Sequence, residues 1–258
     1  MLRSRIIPAL LIHQKGLVKT VKFSEPKYVG DPINAVKIFN EKFVDELIVL
    51  DIDKSVKSQD PDFELIRKIA IECRMPFCYG GGISTVDQAK MIISLGAEKV
   101  ALSSAAISNP KLVNDISKEI GVQSVVVILD VRKKLFGGYD TYIHNGKKNV
   151  GEDPINLAIK FEALGAGELV INSIDKDGIM SGYDLEIFDR IRNAISIPIT
   201  ILGGSGNLDH MKIMVEKYKI LGLAAGSMFV FKGKYKAVLI SYPNDSDKIK
   251  ILNLNEQQ

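Results

Sequence analysis

The run SVVVILD, Ser124 to Asp130, ends in a carboxylate after six mostly apolar positions. A carboxyl group at the rim of an apolar core suits general acid or base catalysis, because its surroundings set whether it holds or releases a proton at neutral pH. Asp51, Asp175 and Asp177 follow two other apolar runs in the same manner. For all four the plainer alternatives are a helix N-cap or a solvated loop. A second kind of chemistry is carried by glycine turns. Gly80, Gly81 and Gly82 are followed by Ser103 and Ser104, and Gly203, Gly204 and Gly206 by Ala225, Gly226 and Ser227. Such turns present converging backbone amides at helix starts, where the dipole favours an anion, and serine adds a further donor. One glycine pair alone is only a turn. His13, His144 and His210 show no ligand spacing such as HxH or HExxH, so neither a metal nor another cofactor is expected, and no Ser-His-Asp arrangement is readable.

These residues sit at the ends of a repeated element. Short β-branched runs alternate with stretches of helical period, the pattern of βα units in a parallel sheet. The runs are Arg5 to Ile12, Glu46 to Asp51, Phe77 to Gly80, Lys99 to Ser103, Ser124 to Asp130, Glu168 to Ser173, Pro198 to Leu202 and Ile220 to Ala225. Between two of them, Asp62 to Arg74 places Phe63, Ile66, Ile69 and Ala70 on one helical face. The chain also repeats itself. DPINAVKIFNEKFVDELIVLDID, from Asp31, aligns without a gap on DPINLAIKFEALGAGELVINSID, from Asp153, an offset of 122 residues. At that same offset MPFCYGGG falls on IPITILGG. A repeat near half the chain length that spans four strands predicts a single (β/α)8 barrel made of two homologous half-barrels. An open doubly wound sheet is the alternative, and it calls for no such duplication. The whole chain, 1–258, is read as one barrel domain, with half-barrels at about 1–120 and 121–240 and a polar tail at about 243–258.

In such a barrel the site lies at the loops after the strands, so the two glycine and serine sets face each other across one mouth and predict an elongated small molecule with a phosphate at each end. The first strand is the twin of the fifth, which puts Leu11 where the other half presents Asp130. Lys19, with the following VKFSEPKYVG, lies in a long first loop, and Val131 to Gly151 form another, both candidate lids or merely solvated faces.

Composition narrows the class. The formal net charge of +3 comes from 34 basic and 31 acidic residues spread along the chain, so neither nucleic acid nor a membrane surface is an expected partner. Hydrophobic residues at 46% and charged residues at 25% suit a soluble protein with a sizeable core. Cys73 and Cys78 are too few for a disulfide framework and are both expected in the core. With no leader pattern or long apolar run, a reducing, cytoplasmic setting is expected.

From RIIPALLI through LVKTVKF, YGGGI, NGKKNVG, GAGELVINSIDKDGIMSGYDLE and LGGSG to AAGSMF, nearly the whole chain resembles the cyclase subunit of imidazole glycerol phosphate synthase, a lyase of the histidine-biosynthetic half-barrel superfamily with the TIM-barrel fold. The resemblance implies a heterodimer in which a glutamine amidotransferase subunit docks at the bottom of the barrel. It implies a ribulosyl aminoimidazole carboxamide substrate with a phosphate at each end, which ammonia converts to imidazole glycerol phosphate and aminoimidazole carboxamide ribotide. Carried over by position, Asp130 matches a catalytic carboxylate and Lys19 the mobile first-loop lysine. Gly82 and Ser104 match one phosphate site, and Gly178, Gly204 and Ser227 the other, with Asp51, Ser103, Asp177 and Gly226 beside them. Arg5, Glu46, Lys99 and Glu168 match a ring of charges that gates ammonia. The family's second catalytic carboxylate falls on Leu11, which moves no proton; losing general acid or base help costs about 10² to 10⁴ in rate. With Leu11 and an ending like GKYKAVLISYP, the chain is also similar to a divergent branch associated with surface-polysaccharide gene clusters, in which ammonia serves a sugar amidation enzyme.

Overall fold

Eight short apolar runs pair in parallel and close on themselves. The computed structural model describes residues 3 to 252. Its barrel strands are Arg5–His13, Leu47–Asp51, Phe77–Gly80, Lys99–Leu102, Val125–Lys133, Glu168–Ser173, Ile199–Leu202 and Gly222–Ala225. Each pairs in parallel with the next, and the eighth returns to the first, where Arg5 opposes Gly222. The protein is therefore a (β/α)8 barrel, and closure leaves no open sheet edge around it.

The strands carry apolar side chains on both faces because both are covered. Outward residues join the amphipathic helices in the larger core, while Ile7, Ala9, Ile48, Cys78, Ala101, Val126, Ile128, Val170, Leu202 and Ala224 fill the lumen. The helix Phe63–Glu72 begins at Asp62, whose side chain accepts from the Leu65 amide, and buries Ile66 and Ile69, with Phe63 and Ala70 half-buried on the same core. Cys78 is buried, but Cys73, expected in the core, is only half-buried, because it ends that helix as the C-cap where the apolar face runs out.

The duplication is visible in the pairing register. Leu11 opposes Leu50 between the first two strands, and Asp130 opposes Asn172 between the fifth and sixth. Leu50 and Asn172 are themselves twins at the 122-residue offset. Gly81, at φ +131°, lies so close to the Asp51 carbonyl that an added Cβ would sit 2.5 Å from it; Gly203, at φ +93°, meets the carbonyl of the twin residue Ser173 at 2.7 Å. Only glycine suits either position. The helices Pro32–Glu41 and Pro154–Ala163 also start alike, with Asp31 and Asp153 as N-caps and proline in the first turn.

The two segments read as long loops are instead antiparallel hairpins. Gly16–Val21 and Ser24–Gly30 extend the first strand, and Tyr139–Ile143 extends the fifth and pairs with Lys148–Asn149. Both grow from equivalent strands, so each half-barrel carries one raised hairpin beside the mouth. The polar tail, for which a last helix or a frayed end are the alternatives from sequence, holds the helix Asp245–Leu252, whose Ile251 and Leu252 are buried; residues 253–258 lie outside the described part.

Candidate functional site

Asp130, Lys19, Asp51, Gly82, Ser103, Ser104, Asp177, Gly178, Gly204, Gly226 and Ser227 line one cavity at the C-terminal ends of the strands, together with Leu11. Asp175 and Gly206 do not reach it. Asp175 accepts from the Lys133 amide at 2.9 Å, and Gly206 donates its amide to His210 Nδ1 at 3.1 Å. Asp51, Asp130 and Asp177 are not helix N-caps; among the aspartates that work falls to Asp31, Asp62, Asp153 and Asp184.

Asp130 leaves the strand at the point where it turns into the second hairpin, opposite Tyr142. One oxygen accepts from Asn172 Nδ2 at 2.9 Å. Burial raises its pKa to about 7, against the Asn172 hydrogen bond that favours the ionised form. At that value it both gives and takes a proton near neutrality. The Ser103 hydroxyl beside it also favours the ionised form, and that of Ser173 is buried without a hydrogen-bond partner.

Lys19 arrives from the first hairpin and is buried, with Nζ donating to the Ala9 carbonyl. Burial lowers its pKa to about 8, with the Asp177 charge opposing. The same hairpin is fastened over the mouth: Thr20 Oγ1 donates to Asp177 Oδ2 at 2.7 Å, the Phe23 amide to that oxygen at 3.0 Å and the Lys22 amide to the Asp177 carbonyl at 3.0 Å. Burial raises the pKa of Asp177, and the Phe23 and Thr20 donors and the Lys19 charge work against it. Gly178 is pressed under the hairpin as well, since a Cβ there would lie 2.2 Å from the Thr20 carbonyl. Asp51 is buried, which raises its pKa, and accepts the Asp53 amide at 3.0 Å.

Two donor-rich turns flank Asp130. The first, from Gly80 to Gly82, stands beside Ser103 and Ser104, with the Gly82 amide toward Ser55 Oγ at 3.4 Å. Ser104 Oγ accepts the His144 amide at 3.2 Å, which ties this side to the second hairpin. The second runs from Gly203 to Ser205 beside Gly226 and Ser227. Lys19 Nζ lies near this turn, 2.9 Å from where a Cβ on Gly226 would stand. One cavity thus brings together two glycine- and serine-lined turns and a titrating carboxyl. Leu11, in the position equivalent to Asp130, offers only hydrocarbon.

Sequence reasoning did not single out Ser55, Asn145, Asn172 or Ser205. Asn172 was detectable, because the repeat sets a polar residue where the first copy has Leu50. Asn145 comes from the far hairpin and donates to the Ile52 carbonyl at 2.8 Å, a reach across the mouth that no local pattern announces.

At the opposite end, Arg5, Glu46, Lys99 and Glu168 form one ion cluster in which the carboxylates are buried and the two cations half-buried. Lys99 donates to both carboxylates at 2.8 Å, Arg5 pairs with Glu168 at 2.8 Å and with Glu46, and Thr200 donates to Glu168. Burial alone would raise the Glu168 pKa, yet Arg5 and Lys99 hold it at about 2. The ring closes the lumen below Cys78, whose register partner is Lys99.

Among the described residues no cluster of His, Cys, Asp and Glu is arranged to hold a metal ion, and no helix is long and apolar enough to cross a membrane. Residues 5–236 match the family model described as histidine biosynthesis protein. The chain is 55% identical over 255 residues to a Vibrio vulnificus protein named "Putative imidazole glycerol phosphate synthase subunit hisF3", covering 98% of each chain. It is 48% identical over 251 residues to the Pseudomonas aeruginosa "Putative imidazole glycerol phosphate synthase subunit hisF2", covering 97% of this chain and all of the other. To the "Imidazole glycerol phosphate synthase subunit HisF" of Exiguobacterium sibiricum it is 40% identical over 225 residues, 87% of this chain and 90% of that one. With the duplicated barrel, the paired turns and likeness along nearly the full length all agreeing, the chain belongs to the histidine biosynthesis protein family.

Proposed function

We propose that this protein is an ammonia-using cyclase subunit of the imidazole glycerol phosphate synthase type, acting on a ribulosyl aminoimidazole carboxamide substrate that carries a phosphate at each end. The observation that carries this reading is the placement of both donor-rich turns and Asp130 around a single cavity. The turn at Gly82 with Ser104 holds one phosphate; the turn at Gly204 with Ser227, and Lys19 beside it, holds the other. Asp130, near pKa 7, moves the proton between them. Ammonia comes from a glutamine amidotransferase partner below and passes the ring of Arg5, Glu46, Lys99 and Glu168. Leu11 leaves the site with one acid or base where a second would stand, so turnover is low for the family. The test is imidazole glycerol phosphate formation from ammonium salt by the wild type and by Leu11→Asp. The variant is expected to gain about 10² or more, the usual worth of a placed acid or base. Family-level turnover by the wild type, unchanged in the variant, would overturn the assignment of reduced activity.

The second reading is a subunit that conducts ammonia to a sugar amidation enzyme of surface-polysaccharide synthesis and performs no cyclase chemistry. What favours it is Leu11 itself, which abuts Leu50 at the mouth. Asp130→Asn separates the two: a conduit keeps its glutamine-dependent ammonia delivery, whereas a cyclase loses turnover.

A further inference from the structure

The C-terminal segment is fastened to the end of the barrel that the ion ring closes. Its Lys248 is buried and donates to the Phe43 carbonyl at 2.9 Å and to Asp45 Oδ1 at 3.2 Å. Tyr242, just before the helix, packs on Phe229 with ring centroids 5.5 Å apart, and Lys248 lies over its ring at 4.7 Å. The Tyr242 hydroxyl donates to the Ile6 carbonyl at 2.8 Å and accepts the Asp45 amide at 3.1 Å. Asp45 in turn accepts the Ile6 amide at 3.0 Å on its other oxygen.

These anchors converge on two residues. Ile6 adjoins Arg5, which begins the first barrel strand, and Asp45 adjoins Glu46, which immediately precedes the second. The register between those strands runs from Ala9 opposite Ile48 upward. At the level of the ring, the Asp45 carboxylate and the Tyr242 hydroxyl bridge the start of the first strand and the segment leading into the second in place of ladder hydrogen bonds. Burying a lysine is costly unless it is paired, and here the pairing is aimed at the strand starts that carry the ring.

We propose that Tyr242 and Lys248 are positioning residues for the ion ring, holding the starts of the first two barrel strands at the spacing that keeps Arg5 on Glu46. The C-terminal segment then sets how readily the lumen opens from below. Its meaning for ammonia passage rests on the gate reading above, but the test reads the ring alone.

Cys78 is the reporter, a thiol at 2% exposure in the lumen beside the ring. In a Cys73→Ser background it is the only cysteine of the chain. The full-length protein is labelled with methyl methanethiosulfonate, small and uncharged, in buffer and in urea below the unfolding transition. Lys248→Ala and Tyr242→Phe, each alone, are expected to speed labelling about tenfold or more, with no urea dependence, as for a local opening. Glu46→Gln, which breaks the ring directly, is expected to give a similar rise, and adding Lys248→Ala to it is expected to add little, because coupled sites are not additive. An unchanged rate in folded Lys248→Ala and Tyr242→Phe overturns the proposal. So does a rise that grows with urea, which is global unfolding, or one fully additive with Glu46→Gln, which is an independent opening. A cyclase assay that failed would leave every one of these outcomes readable.

Discussion

At the scale of the residue, Asp130 shows how a site trades stability for reactivity. A free aspartate titrates at about 3.8, and burial lifts this one to about 7. Between those values the folded protein holds a proton that the unfolded chain has lost, so stability falls as pH rises and levels off above 7. Asp130→Asn removes the titration while keeping the shape. The variant should unfold at higher urea than the wild type at pH 8, by about 2 to 4 kcal/mol on the worth of a pKa unit, and at nearly the same urea at pH 4. A constant difference across that range would mean that the carboxyl is not held protonated. Asp130 was legible in the sequence because an acid at the end of SVVVILD breaks an apolar run. Its partner Asn172 was less so, since an amide at a strand end has many ordinary uses and only the register shows that it faces the carboxylate.

At the scale of the element, the hairpins are what the sequence concealed. The strand Tyr139–Ile143 alternates buried and half-buried residues, the period of a strand with one covered face. It is flanked by lysines and glycines, which read as loop. The first hairpin is harder still, because its outer strand Ser24–Gly30 is largely exposed and its fastening is remote in sequence. That fastening is Asp177, and removing it should free the hairpin without unfolding the barrel. In Asp177→Ala the Phe23 amide loses its acceptor, so its hydrogen exchange is expected to quicken about tenfold or more, in line with the loss of a hydrogen bond to a charged group. Amides of the lumen strands, such as Val127 and Ile171, should exchange as before. Equal acceleration in both places would show that the hairpin is no separate lid. The barrel strands were legible because parallel strands covered on both faces read as unbroken apolar runs. The tail was not, since it holds its place through a buried lysine and a tyrosine hydroxyl, against the usual exposure of charge.

At the scale of the whole molecule, a duplicated chain folds as one body only if its halves are joined by more than a linker. The ring joins them: Arg5, Glu46 and Lys99 come from the first half and Glu168 and Thr200 from the second. Leaving a buried charge unpaired costs about 3 to 5 kcal/mol. Arg5 and Lys99 are half-buried and stay paired to Glu46, so Glu168→Gln is expected to lower stability by less, about 1 to 3 kcal/mol at pH 7. Glu168 titrates at about 2 when folded, below its ordinary 4.5. Its contribution is therefore complete above about 4.5 and is lost as pH falls toward 2. The deficit of Glu168→Gln should shrink over that acid range, whereas the gain of Asp130→Asn grows between about pH 4 and 7. The two groups sit at opposite ends of the barrel, one at the mouth and one at the floor. If the halves unfold together, both profiles appear in a single urea transition with one midpoint at each pH. If Glu168→Gln instead splits the transition in two, the ring is the fastening between half-barrels, and the proposed gate is also the seam of the fold.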